Sequence, residues 1–391
     1  MTKNKMKHNT INNTVPLHLE KSDIVNLGSF YTSVSYIEIV WKFIKSYIDK
    51  NTVVFDPAYG YGSFLKPETF ARQIGNDIDK EALKVSKSNY RDVVYFNYNA
   101  LVYYNRSLYG IKNNEKLIII GNPPYNDITS KAKKKVKQLR FKVAPELKTR
   151  DIGISFLRMF SYLKADYVCI LHPLSYLIKR SNFNLLKEFR KNYILKKNVI
   201  ISSRSFNLTS SFSDFSIIIG LYELNKNGMD YEYIKNFIFY TIDKKTFKLK
   251  DFDYIGNYID KYPKKSDSLN NSKILFYTLR DINALKRNRT FINKPIANAV
   301  KVKIEQLDYY VYVDIFKKFI NVVPYYLRNL DVIIDNDLFS KYKKYFISYA
   351  IKRRNFLKKY YINSYIYDND EEKIIEYFRK LLKEHFLDNK I

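Results

Sequence analysis

Short apolar runs, separated by turns rich in Gly, Pro, Asn and Asp, dominate the first 225 residues. Ile37, Val40, Trp41, Ile44 and Ile48 recur at helical spacing, and Ser35 with Glu38 has the form of a capping box, so the pattern predicts a helix over 35–48. Thr52–Phe55 is a short β-branched run that stops at Asp56-Pro57 and a Gly-bearing turn, the punctuation expected at a strand's carboxyl end. A second short strand is expected before Gly75-Asn76-Asp77-Ile78-Asp79, then a polar helix over Lys80–Tyr90 and a third strand over Asp92–Phe96. Lys116–Ile120 is unbroken enough to be a strand buried on both faces, and it ends in Gly121-Asn122-Pro123-Pro124-Tyr125. A helix over 153–164 and strands over Tyr167–Leu171 and Phe215–Leu221 follow. Strands alternating with helices predict an α/β domain with a mainly parallel sheet. Ligands of such sheets sit beyond the carboxyl ends of the strands, where the Gly- and Pro-bearing turns fall here.

The pattern changes after about residue 225. Residues 226–270 alternate only weakly, and 371–387 read as an amphipathic helix with Ile374, Phe378, Leu381 and Leu382 on one face and Asp370 as its cap. Residues 1–27 are polar and aperiodic, the pattern of a loose arm. The expected organisation is therefore an arm, a catalytic domain over 28–225 and a smaller domain over 226–391. With 46% hydrophobic residues in 391, the chain has ample material for buried cores.

Charge adds a candidate partner. The formal net charge is +29, which favours a polyanion. AT-rich coding bias would raise the Lys count in any protein, so placement matters more than the sum. Two stretches stand out. Residues 127–150 hold Lys131, Lys133, Lys134, Lys135, Lys137, Arg140, Lys142, Lys148 and Arg150 against two acids, and Tyr342–Tyr361 is dense in Lys, Arg and Tyr. A single Cys and four scattered His exclude a disulfide framework and a Cys- or His-rich metal site, so no metal is expected. Cys169 and His172 are expected to be packing residues. No apolar run approaches the roughly 18 residues of a membrane span, and the Lys/Asn-rich start is unlike a secretory signal, which makes the cytoplasm the expected location.

The most informative stretch is Asn122-Pro123-Pro124-Tyr125. Two prolines hold the backbone rigid and extended. The Asn122 side-chain oxygen and the Pro123 carbonyl can each accept one N–H of an exocyclic amine on a planar ring, and Tyr125 can stack on that ring. The competing reading is a plain Pro-containing turn. Upstream, Asp56-Pro57-Ala58-Tyr59-Gly60-Tyr61-Gly62-Ser63-Phe64 lets backbone approach a ligand closely. Asp77 follows by about 20 residues, the position that grips ribose hydroxyls in nucleoside-binding sheets. A Gly-Lys-Ser/Thr phosphate loop is missing, so a nucleoside-type cofactor is expected.

Together these residues resemble S-adenosylmethionine-dependent DNA adenine N6-methyltransferases, in the class that runs cofactor motifs, catalytic motif and target-recognition domain in that order. The resemblance covers 28–222 and the domain order. It implies a Rossmann-like methyltransferase domain with a mainly parallel sheet and a smaller basic C-terminal target-recognition domain. By that resemblance, Tyr31 and Thr32 of Phe30-Tyr31-Thr32 would cradle the methionine end of the cofactor. Asp56, Pro57, Ala58, Gly60 and Gly62 would form the cofactor turn, Asp77 would hold the ribose, and Ile78 would lie beside the adenine. Asn122, Pro123, Pro124 and Tyr125 match the catalytic tetrapeptide in full. Phe206 or Phe212 would pack on the extruded base, together with Tyr125. Two positions depart from the family pattern: Asn99 stands where an acid contacts the cofactor's adenine amine, and Ala165-Asp166 replaces a Gly pair.

The expected activity is site-specific methylation of adenine N6 in double-stranded DNA, protecting it from a separate cognate restriction endonuclease. The protein is expected to act as a monomer. Lys133, Lys134, Lys135, Lys137, Arg353 and Arg354 are the expected DNA contacts. An RNA adenine or protein glutamine amino-methyltransferase is the main alternative. A cytosine N4 enzyme fits less well because Ser is common in place of Asn122 there. A binding protein without catalysis is disfavoured by the intact tetrapeptide, and a fused nuclease by the lack of a convincing carboxylate–lysine constellation in 226–391.

Overall fold

The computed structural model describes residues 32–66, 69, 71–89, 92–125, 142–206, 215–263, 274–277, 289–296, 298–328 and 330–388. The chain divides into two compact units, Met1–Ser211 with Ile217–Tyr233 and Phe212–Ser216 with Ile234–Ile391.

The first unit is built on a seven-stranded sheet in the order β3-β2-β1-β4-β5-β7-β6. The strands are β1 (Thr52–Asp56), β2 (Arg72–Asn76), β3 (Val93–Phe96), β4 (Lys116–Gly121), β5 (Tyr167–Pro173), β6 (Tyr193–Ser202) and β7 (Ser216–Leu224). Pairings from β3 through β5 are parallel, and β7 runs antiparallel to β5. This is the Rossmann-like, mainly parallel sheet expected from the sequence. Val53, Val54, Phe55 and Leu117 to Ile120 have no measurable exposure, as a sheet covered on both faces requires. From β1 the chain winds outward through β2 and β3, then crosses back to β4 on the other side. The switch point therefore lies between β1 and β4, and Asp56 and Asn122 stand at the carboxyl ends of these two neighbours.

Three helices matter for the site: α1 (Val34–Ile44), α2 (Lys80–Asn89) and α3 (Ile152–Leu163). α1 buries Ile37, Val40 and Ile44 and packs on β5, where Cys169 is buried with its sulfur 4.0 Å from the Val40 carbonyl. The expected capping box does not form. α1 starts earlier, the Ser33 carbonyl takes the Tyr36 and Ile37 N–H groups, and the Ser33 and Ser35 hydroxyls bond each other at 2.9 Å. Its expected last turn tightens into a 3-10 helix over Lys45–Tyr47. β2 extends through Gly75 and Asn76, which pair with Asp56 and Phe96, rather than ending before them.

The second unit has small antiparallel sheets and three principal helices, α4 (Leu307–Lys318), α5 (Asn336–Arg353) and α6 (Asp370–Leu382). Tyr312, Phe316, Phe339, Phe346, Tyr377 and Phe378 interlock at its centre. α6 buries Ile374, Phe378 and Leu382 of the expected amphipathic face, with Tyr377 buried as well and Leu381 only half-buried. Asp370 is not its cap: the flanking residue is Asn369, and the Asp370 carboxylate is buried against the Ser348 hydroxyl at 2.8 Å and Lys352 at 3.0 Å. Among the described residues, no helix is long and apolar enough to cross a membrane, and no cluster of His, Cys, Asp and Glu could hold a metal.

Candidate active site

The carboxyl ends of β1 to β4 bring a set of polar groups to one edge of the first unit. Asp56 ends β1. Its Oδ1 accepts the Ala58 N–H at 3.1 Å, while Oδ2 is buried with no hydrogen-bond partner among the described residues. A side chain at Gly121 would collide with Asp56, since a Cβ there would lie 2.7 Å from Oδ1, and Gly121 has φ +136°. This close approach seats the start of the Asn122 turn against the Asp56 carboxyl. Burial pushes the Asp56 carboxyl up to about 8.

That shift has a testable sign. Between about pH 4 and pH 8 the folded state holds a proton on Asp56 that the unfolded chain releases, so stability falls as pH rises through this window. Asp56→Asn should flatten the decline and raise the melting temperature at the alkaline end by roughly 2 °C or more. Calorimetry across the window checks it; a pH profile parallel to that of the wild type would contradict a buried, unpartnered carboxyl.

Asp77 follows β2 directly. Its Oδ2 accepts the Gly60 N–H at 2.7 Å and its Oδ1 the Asp79 N–H at 2.8 Å, so the acid also shapes the turn after β1. Burial pushes this carboxyl up to about 6. Tyr59 lies beneath the turn, with its ring against Gly75 and Gly62, where added Cβ atoms would fall 2.8 and 2.2 Å from it. Ile78 is exposed beside Asp77.

Asn76 has a role that its place in the Gly75–Asp79 turn does not announce. Its side chain is fully buried at the end of β2. Its amide donates to the carbonyls of Pro57 at 3.1 Å and Tyr98 at 3.0 Å, and its oxygen accepts the Tyr98 N–H at 3.0 Å. The Asn76 carbonyl also accepts the Tyr59 N–H at 2.9 Å. One side chain thus ties the turns after β1 and β3 to β2. The available signal was an Asn placed in a strand, where its propensity is poor. Asn76→Ala should lower unfolding free energy by about 2–4 kcal/mol through three lost bonds and the carbonyls left bare. Urea titration measures it, and a loss within error of zero would contradict this role.

Asn122 follows β4. Its amide donates to the Thr32 hydroxyl at 3.3 Å, joining two motifs 90 residues apart in sequence. The Tyr125 hydroxyl is buried, and burial raises its pKa. The Tyr125 ring is only 6% exposed. It is backed by the start of α3, where a Cβ on Gly153 would fall 2.9 Å from the Tyr125 Cβ and 2.5 Å from the Tyr176 hydroxyl. Tyr176 donates to the Asp151 carboxylate, which also caps α3 by accepting the Gly153 N–H at 2.9 Å. His172 stacks on Tyr176 with ring centroids 5.4 Å apart, and its Nε2 lies 2.6 Å from the Tyr222 hydroxyl. Burial pushes His172 down to about 4, so it stays neutral and structural.

Asn99 lies beyond β3. Its oxygen accepts the Leu101 N–H at 3.1 Å and its amide donates to the Lys142 carbonyl at 2.8 Å. Thr32, Asp56, Pro57, Ala58, Gly60, Gly62, Asp77, Ile78, Asn99 and Asn122 to Tyr125 therefore all lie in the first unit, on or next to the carboxyl ends of β1 to β4 except for Thr32, which Asn122 bonds.

Other expected site residues fare differently. Tyr31, Lys133, Lys134, Lys135, Lys137 and Phe212 lie outside the described residues. Phe206 is buried at 2% exposure near Tyr36, with ring centroids 6.2 Å apart, so it offers no open face for a base. In the second unit, Arg353 is exposed and its guanidinium lies 4.3 Å from the Tyr349 ring centroid. Arg354 corrects an expectation. Its guanidinium grips Asp314 through two bonds of 2.7 and 2.6 Å and donates to Thr290 at 2.6 Å. That bidentate pair spends its donors inside the unit instead of on a phosphate.

No family model matches the sequence, and no curated protein matches it. Solved structures do align. A type I restriction-modification system methyltransferase subunit from Streptococcus thermophilus is 17% identical, over 58% of this chain and 49% of that chain, with a TM-score of 0.38. A chain named a class I S-adenosylmethionine-dependent methyltransferase, from Listeria monocytogenes, is 15% identical over 55% of this chain and 66% of that one, with a TM-score of 0.38. A 23S rRNA methyltransferase is 13% identical over 51% of this chain and 71% of that one, with a TM-score of 0.34. All three scores lie below 0.5, too low to bear on what the site does.

Proposed function

We propose that the chain is an S-adenosylmethionine-dependent methyltransferase acting on the N6 amine of adenine in double-stranded DNA. The observation that carries this reading is the seating of Asn122-Pro123-Pro124-Tyr125 at the end of β4, beside Asp56 at the switch point and bonded to Thr32.

The residues at this edge suit the cofactor. Asp77 offers a carboxylate for ribose hydroxyls, and Ile78 is an exposed apolar ledge beside it, suited to a flat heterocycle. The Gly60 and Gly62 turn gives close backbone approach, and the buried, unpartnered Asp56 carboxyl oxygen is a polar group that a ligand at this edge can satisfy. Asn99 offers a weaker acceptor than the acid it replaces, because its oxygen already takes the Leu101 N–H. When bound, S-adenosylmethionine supplies an electrophilic methyl group.

The chain's own part is to hold the amine. The Asn122 oxygen and the Pro123 carbonyl accept its two hydrogens, drawing the nitrogen lone pair out of conjugation and fixing its direction. Rate then comes from positioning and charge placement rather than from a strong base. At rest the Tyr125 ring is buried. Entry of a base gives the Asn122 oxygen the amine as its donor and brings the ring face into stacking contact.

Duplex DNA is the substrate this reading favours because the chain carries a net charge of +29 and basic stretches in both halves. The protein acts as a monomer in the cytoplasm, with a separate cognate endonuclease as its counterpart. The same four residues also serve an RNA adenine or a protein glutamine, so the test offers all three acceptors. With tritiated cofactor, label should enter duplex DNA and be lost in Asn122→Ala. Preferential labelling of RNA or protein would overturn the substrate class, and labelling of none would overturn catalysis.

A further inference from the structure

The second unit carries a loop that is rigid at its base and apolar at its tip. Between α5 and α6, Asn355–Tyr360 forms a 3-10 turn and residues 361–369 return to the helix. The loop is pinned at four places. Leu357 is fully buried. The Tyr361 hydroxyl donates to Asp308 at 2.7 Å. The Tyr367 N–H donates to the Ser348 hydroxyl at 2.8 Å, and the Tyr367 carbonyl accepts from Lys352 at 2.6 Å. Held this way, it still presents Ile362 at 82% and Tyr365 at 72% exposure, with Phe356 and Ile366 also exposed. Large side chains so open on a tethered loop are costly unless something covers them.

Charge says what does. From Lys341 to Ile366 the sequence holds eight Lys and Arg and no Asp or Glu. Arg353, Lys358 and Lys359 are exposed and have no carboxylate partner among the described residues. Lys344 lies over the rings of Tyr345 and Tyr367, 5.1 and 5.4 Å from their centroids. Of the acids near the loop, Asp308 takes Tyr361 and Lys343, Asp314 takes Arg354, Asp370 takes Ser348 and Lys352, and Asp368, Glu371 and Glu372 lie beyond its tip at the start of α6. An apolar tip on a loop that also carries Lys358 and Lys359, with Arg353 at its start, complements a polyanion with apolar surface between its charges.

We propose that this loop enters a groove of duplex DNA, with Arg353, Lys358 and Lys359 on flanking phosphates and Ile362 and Tyr365 against base edges. The inference rests on the DNA reading above and assigns its sequence-reading element. The division of labour is testable because phosphate contacts set affinity and salt dependence, while base contacts set specificity.

The full-length protein is titrated with fluorescent duplex of mixed sequence over a range of salt, and the methylated positions in genomic DNA are mapped. Lys358→Gln with Lys359→Gln should weaken binding to all sequences and flatten the slope of log affinity against log salt by about 1–2. Ile362→Ser with Tyr365→Ser should leave that slope in place and cut methylation at the preferred site about tenfold or more. All four positions are exposed, and unchanged thermal melting confirms that the variants fold. If the wild type methylates DNA and both variants match it in slope and site rate, the loop assignment is wrong while the DNA reading stands. Self-association lost only in the Ile362/Tyr365 variant would give the patch to a second copy of the chain, and overturn the proposal. If the wild type transfers no methyl group to DNA, the DNA reading fails and the loop assignment fails with it.

Discussion

Asn122→Ala is expected to lower methyl transfer by about 10²–10³-fold, with cofactor affinity nearly unchanged. The side chain contributes one of two acceptors for the amine hydrogens, and its effect arises where charge develops on the nitrogen. Its resting bond to Thr32, at 3.3 Å, is weak enough that the fold should survive its loss. Single-turnover rates with saturating cofactor isolate the chemical step. A rate near that of the wild type would remove Asn122 from the chemistry, whatever else the site binds.

Asp77→Ala is expected to act on the other side of the reaction. The cofactor should bind about 10²–10³-fold more weakly, since a charge-assisted pair of ribose bonds is lost and the Gly60 N–H loses its acceptor. The rate at saturating cofactor should fall far less. The Asp77 carboxyl is pushed up to about 6, and ribose hydroxyls bond best to its ionised form. Wild-type affinity should therefore weaken as pH falls through about 6, and Asp77→Asn should flatten that dependence. Calorimetric titration with the cofactor across this range measures both. A loss of turnover without a loss of affinity would contradict the ribose role.

The sheet was legible because its strands carry unbroken apolar runs. Thr52–Phe55 and Lys116–Ile120 read as buried strands and lie side by side at the centre. β6 was not read, since Lys196, Lys197 and Asn198 interrupt its apolar positions and leave a burial pattern that alternates poorly. α1 was read from Ile37, Val40 and Ile44, but its start was misplaced because a Ser-x-x-Glu spacing says nothing of whether the hydroxyl will turn back to the helix. In the second unit, two- and three-residue strands are too short to leave a period. The turn motifs at the site were visible as types and spacings. What the sequence could not show was tertiary: that Asn76 clamps two turns, that Phe206 is enclosed, and that Arg354 faces Asp314.

The central claim is that four residues beyond β4 hold an adenine's amine for methylation within duplex DNA. Sequencing of modified bases in a host expressing the chain tests it most directly. The account predicts N6-methyladenine at one defined sequence on double-stranded DNA, present with the wild type and gone with Asn122→Ala. DNA free of N6-methyladenine in cells that carry folded, cofactor-binding protein would contradict it.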